Sequence, residues 1–121
     1  MFPKNYLLLL LLLCTSLVLA QQDYQIEGTT YSLKTEVDGP LTLLWNTIDG
    51  EYRYFAKKGN SITELVNTRV DGEYQEEYKQ VLADLTTDGV VAVTDVRLTL
   101  SDLREFVNTY NAQKDPGFVA E

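Results

Sequence analysis

Histidine is absent from this chain of 121 residues, and cysteine occurs once, as Cys14. With no His, and no Cys after position 14, the chain cannot build a Ser-His-Asp triad, a Cys-His pair or a His/Cys zinc set. A Gly-rich phosphate loop, a G-x-S-x-G elbow and a dinucleotide fingerprint are missing too. No cofactor and no metal are therefore expected, and no residue stands out as catalytic. Positive charge is also scarce. Ten Lys and Arg face 18 Asp and Glu, for a formal net charge of −8. Binding a phosphate backbone or an anionic lipid surface needs clustered Lys and Arg, so nucleic acid is not an expected partner. No run of five like charges occurs, and the acidity reads as a solvated surface.

The one long apolar run lies at the start, MFPKNYLLLLLLLCTSLVLA. Lys4 makes a short basic region, and the run from Leu7 to Leu13 is short for a bilayer, which needs ~20 apolar residues. Val18 and Ala20 place short side chains three and one residues before a cut ahead of Gln21. That is the pattern of a signal peptide cleaved after Ala20. Leu13 before Cys14 is too large for lipoprotein processing, so Cys14 is expected to leave with the leader. Losing residues 1–20 removes Lys4 and no acid, which takes the net charge from −8 to −9. The expected destination is periplasmic, surface-associated or secreted. The mature chain is expected to be free of disulfides and of integral membrane segments. Its stability must then come from packing within one modest core.

Four Asp-Gly pairs, at 38–39, 49–50, 71–72 and 88–89, supply turns. None sits in the carboxylate ladder of a calcium loop. Between them, Thr30 to Val37, Leu41 to Ile48, Glu51 to Lys57 and Ser61 to Thr68 read as strands. Helical spacing follows in Tyr74, Tyr78, Val81, Leu82 and Leu85, and again in Leu103, Phe106, Val107 and Tyr110. Thr99 or Ser101 can cap the second of these, and Val96 with Leu98 suggests a short strand before it. The expected fold is α+β: an antiparallel meander of about four strands with two amphipathic helices packed on one face. Residues 21–113 make the single domain, and 114–121, with Pro116-Gly117, a frayed tail.

A two-residue loop at Asp49-Gly50 sets Trp45 opposite Tyr54 and Leu44 opposite Phe55. One sheet face then carries Leu41, Leu43, Trp45, Tyr52, Tyr54 and Ala56, the natural core. A loop at Lys58-Gly59 would set Phe55 against Ile62, Arg53 against Glu64 and Tyr52 against Leu65. On the second face, Leu44, Phe55 and Ile62 form an apolar row beside Arg53 and Glu64. If helices cover only the first face, this row is open, and open apolar surface marks a contact site. The leading functional expectation is a non-catalytic accessory module that binds another exported protein through that face. The alternative is a carbohydrate-binding module, with Trp45, Tyr52 and Tyr54 as the stacking platform. A carboxylate hydrolase ranks behind both: Glu76 and Glu77 are adjacent, and helix neighbours point apart. Lys57-Lys58 forms a positive spot at a hairpin tip.

Overall fold

The computed structural model describes residues 21–120. The leader, its cut after Ala20 and Cys14 lie outside the described residues, as does Glu121. The described strands form a five-stranded antiparallel sheet in the order β1 to β5 and a separate two-stranded hairpin, and two helices complete an α+β fold. Residues up to Lys34 and those from Thr35 onward are two compact units.

In the first unit, β1 (Gln21–Ile26) pairs with residues 29–34 of β2 (Thr29–Val37), with Tyr24 opposite Tyr31. Glu27 and Gly28 both have positive φ, 49° and 81°, as a two-residue type I′ loop requires. β1 is the strand missing from the expected four. Its sequence, QQDYQI, is too polar to announce a strand by apolar alternation.

In the second unit, β3 (Thr42–Ile48) and β4 (Glu51–Lys58) pair around Asp49 and Gly50, whose φ values are 54° and 81°. Trp45 faces Tyr54 and Leu44 faces Phe55, the register expected from the loop. β5 (Ser61–Leu65) differs. Its loop is Gly59-Asn60, with Gly59 at φ 60°, so Phe55 faces Glu64, Lys57 faces Ile62 and Tyr54 faces Leu65. The register has moved by two residues from the expected one. Side chains alternate with a period of two, so every residue keeps its face.

The segment after Val66 departs further from expectation. Asp71 and Gly72, at φ 52° and 81°, turn a small hairpin between β6 (Arg69–Val70) and β7 (Glu73–Tyr74). Tyr74 therefore lies in a strand opposite Arg69, exposed, with the Arg69 guanidinium 5.4 Å from its ring centre. Helix α1 (Glu77–Leu85) begins only after Glu76, which is left-handed at φ 52°. Its start is tied back to the strand side. Tyr78 N–H donates to Val66 C=O at 3.0 Å, and Glu77 accepts from both the N–H and the hydroxyl of Thr68.

Helix α2 (Leu100–Lys114) is capped by Thr99, whose side-chain oxygen accepts from Asp102 N–H at 3.3 Å. Val96 and Leu98 form no strand; they lie in the irregular connection and pack against the core. One buried cluster gathers Val37, Leu41, Leu43, Tyr54, Ala56 and Leu65 from the sheet side with Tyr78 and Leu82 of α1. Leu103, Phe106, Val107 and Tyr110 of α2 complete it. Phe118, from the segment expected to fray, also packs on this cluster. Among the described residues no helix is long and apolar enough to cross a membrane.

Asn111 is fully buried and joins α2 to the start of β3. Its Oδ1 accepts from Leu41 N–H at 2.8 Å, and its Nδ2 donates to Leu41 C=O at 2.8 Å. Gly39 makes the room. A Cβ there would lie 2.6 Å from Asn111 Nδ2. Replacing Asn111 with Ala strands both Leu41 groups, and buried unsatisfied groups cost about 1–3 kcal/mol each. Asn111→Ala is expected to lower unfolding stability by about 3 kcal/mol in a urea titration. A loss below about 1 kcal/mol would mean that water replaces the amide.

Candidate functional site

The five residues of the expected contact row fall on β3, β4 and β5. Leu44 and Phe55 are directly opposed and both fully buried, yet neither belongs to the cluster shared with the helices. They alternate along their strands with cluster members Leu43, Tyr54 and Ala56, which puts them on the other side of the sheet. Ile62 is half-buried and lies opposite Lys57 instead of Phe55. Arg53 and Glu64 meet as expected, but diagonally. Arg53 Nε donates to Glu64 Oε2 at 2.8 Å and Nη2 to Oε1 at 2.6 Å, a two-pronged fork. The guanidinium carbon of Arg53 stands 5.9 Å from the Phe55 ring centre. The row expected to be open is thus a buried apolar pair under a partly exposed polar border.

The three aromatics of the stacking alternative are divided. Tyr54 is buried in the core cluster, where burial pushes its phenol pKa up. Trp45 is half-buried, and its Nε1 donates to Glu36 Oε1 at 3.0 Å. Arg104 of α2 holds the other Glu36 oxygen at 3.0 Å. Tyr52 is 66% exposed and tilts against Trp45, with ring centres 5.6 Å apart. Any stacking ledge is reduced to Tyr52 beside the Trp45 edge.

The carboxylates Glu76 and Glu77 have separate partners. Glu76 pairs with Lys79 at 2.6 Å, while Glu77 accepts from Thr68. Among the described residues no group of three metal-ligating side chains gathers. Lys58 does not stand free at its hairpin tip. Its Nζ donates to Leu85 C=O at 2.7 Å, at the carbonyl end of α1 where positive charge is favoured, and sits 5.4 Å from the Tyr110 ring centre.

One surface escaped the sequence reading. An open cavity of about 350 Å³ lies between the 90–96 segment and α2, lined by Val90, Val91, Ala92, Asp95, Glu105 and Phe106 among others. The signal for it is Gly89-Val90-Val91-Ala92-Val93, the longest uncharged apolar run in the second half of the chain. It is too short to show a helical period, and no turn pair closes it into a hairpin. Asp102, also in the lining, is held by Arg97 at 3.1 Å, which keeps its carboxyl below the usual range.

No protein-family description, curated protein or solved structure matches the chain.

Next to the cavity, Asp88 accepts from the Tyr110 hydroxyl at 2.7 Å and faces Lys114 at 3.4 Å and Lys58 at 3.5 Å. The tyrosine hydrogen bond leads in holding this carboxyl down from 3.8 to about 2, with Lys114 contributing after it. A depressed carboxylate adds stability that is complete above its ordinary value and lost as pH falls through the folded value. The window is therefore about pH 4 down to pH 2. Asp88→Asn should flatten the pH dependence of thermal unfolding in that window relative to the parent chain. An unchanged acid slope would show that Asp88 is not one of the groups that titrate on unfolding.

Proposed function

We propose that the mature chain is a small exported domain that works by binding another protein rather than by catalysis. In this reading both helices pack on one face of the sheet, and the partner meets the other, at the border formed by Arg53, Ile62 and Glu64 over Leu44 and Phe55. One observation carries it. Leu44 and Phe55 are apolar and adjacent across two strands, but lie outside the cluster that includes both helices. Both are already closed to water, so a partner on this side would read the half-buried border above them, Arg53, Ile62 and Glu64, rather than the pair itself. The Arg53–Glu64 fork, with side chains 29% and 25% exposed, gives that border a fixed polar mark that a partner can read. The absence of His, and of Cys after position 14, supports binding over chemistry.

A second reading, glycan binding, rests on Tyr52. It is the most exposed aromatic of the sheet and is backed by Trp45 and the Glu36–Arg104 pair.

The test is capture from envelope and medium extracts by the processed protein and by two variants. Ile62→Glu changes a half-buried border residue and is expected to abolish capture while shifting the urea midpoint by less than about 0.5 kcal/mol equivalent. Tyr52→Ala should leave protein capture intact. Capture that survives Ile62→Glu overturns the sheet-face reading. Glycan-array binding lost with Tyr52→Ala would favour the second.

A further inference from the structure

The 90–93 segment behaves as a strand that has no partner strand. Val91 and Val93 pack against the core cluster, while Val90 is 88% exposed and Ala92 is exposed. That in-out alternation is the period of extended chain. The segment is fixed at both ends. Gln113 of α2 accepts from Val90 N–H and donates to Val90 C=O, both at 2.8 Å, and Val93 C=O accepts from Val96 N–H at 3.1 Å. Between these anchors, the N–H and C=O groups of Val91 and Ala92 have no hydrogen-bond partner among the described residues. An extended edge with unpaired backbone groups is a template for an added strand.

Both walls of the same cavity carry carboxylates. Asp95 stands on the 90–96 segment and Glu105 on α2; neither forms an ion pair among the described residues, although Lys79, bonded to Thr94 C=O, feels the charge of Asp95. Asp102 beside them already has Arg97. Apolar contact comes from Val90, Val96 and Phe106. The cavity thus brings together unpaired backbone on the 90–96 segment, carboxylates from both walls and apolar side chains.

We propose that this groove binds an extended cationic peptide, which adds as a strand to Val91-Ala92 and sets a Lys or Arg against Asp95 and Glu105. Charge complementarity selects this occupant. A second copy of the chain would bring the same carboxylates, on a protein of net charge −8, against themselves. The groove is separate from the β3–β5 face, and the proposal does not depend on the reading of that face.

The probes are two fluorescein-labelled peptides, Val-Lys-Val-Lys-Val and Val-Glu-Val-Glu-Val, titrated with the processed protein by anisotropy and by amide chemical shifts. The lysine peptide is expected to bind, to move the amides of Val91 and Ala92 most, and to weaken as salt rises. The glutamate peptide should bind at least about tenfold more weakly, the difference of one charge-assisted contact. Ala92→Pro removes an N–H that has no partner in the fold and should abolish lysine-peptide binding. Glu105→Gln, on the exposed side of α2, should weaken it by about tenfold and lower its salt dependence. Equal binding of both peptides, or shifts that avoid residues 90–93, would overturn the proposal. So would line broadening at those amides that depends on protein concentration alone, since that would mean the edge pairs with itself.

Discussion

The fold depends on one side-chain amide standing in for a strand. Asn111 offers one donor and one acceptor with the spacing of a peptide group, and both are used on Leu41 at 2.8 Å. This joins α2 to β3 through directed bonds as well as apolar contact, and it does so in a site closed to water. Hydrophobic packing alone tolerates small slides of a helix over a sheet. Two opposed hydrogen bonds to one residue do not. Gly39 is part of the same device, because any side chain there would occupy the amide's place. Two residues further along the helix, about 200° around it, Gln113 makes the same pair of bonds to Val90. The last turns of α2 therefore position two backbone segments on different sides, one in the sheet and one in the irregular connection.

Between these two amides in the sequence of contacts sits Tyr110, also buried, whose hydroxyl bonds Asp88 and whose ring lies under Lys58. Gly89 passes so close to that ring that a Cβ would come within 2.9 Å of it. The connection from α1 to α2 is thus fastened by groups from β4 and α2. The scarce cations of the chain serve this purpose. Lys58, Lys79 and Lys114 each donate to a backbone carbonyl, at Leu85, Thr94 and Asp88 respectively, and Arg104 binds Glu36. With the few cations committed to these carbonyls and to Glu76 and Asp88, Glu105 has no ion pair among the described residues and Asp95 has only the nearby charge of Lys79. The negative charge of the groove follows from where the few positive charges are placed.

Local chemistry was enough to read much of this from sequence. Asp49-Gly50 fixed the β3–β4 register because both residues tolerate positive φ, and the spacing of Leu103, Phe106, Val107 and Tyr110 marked the buried stripe of α2. What failed had competing local solutions. Asp71-Gly72 could precede a helix or close a hairpin, and the hairpin formed, leaving Tyr74 outside the helical stripe it matched by spacing. Lys58-Gly59 and Gly59-Asn60 are both acceptable two-residue loops, differing by which residue of the pair is glycine. The anchors Asn111 and Gln113 carry no periodic signal, because a single polar residue on a helix is ordinary until its partner, far off in sequence, is known.

The contact row shows the same division in its sharpest form. The error in the β4–β5 register was an even number of residues, so Arg53, Phe55, Ile62 and Glu64 kept their face, and the Arg53–Glu64 pair survived as a diagonal. Periodicity decides on which side of a sheet a residue lies. It says nothing about whether that side is covered, which is why Leu44 and Phe55 could be assigned to the right face and still be buried. The same limit works in reverse at residues 90–93. There the alternation is that of a strand, but only the placement of Gln113, Asp95 and Glu105 around it gives the unpaired edge a chemical character. Chemical character in this chain is therefore set by what stands next to its extended segments rather than by the segments themselves.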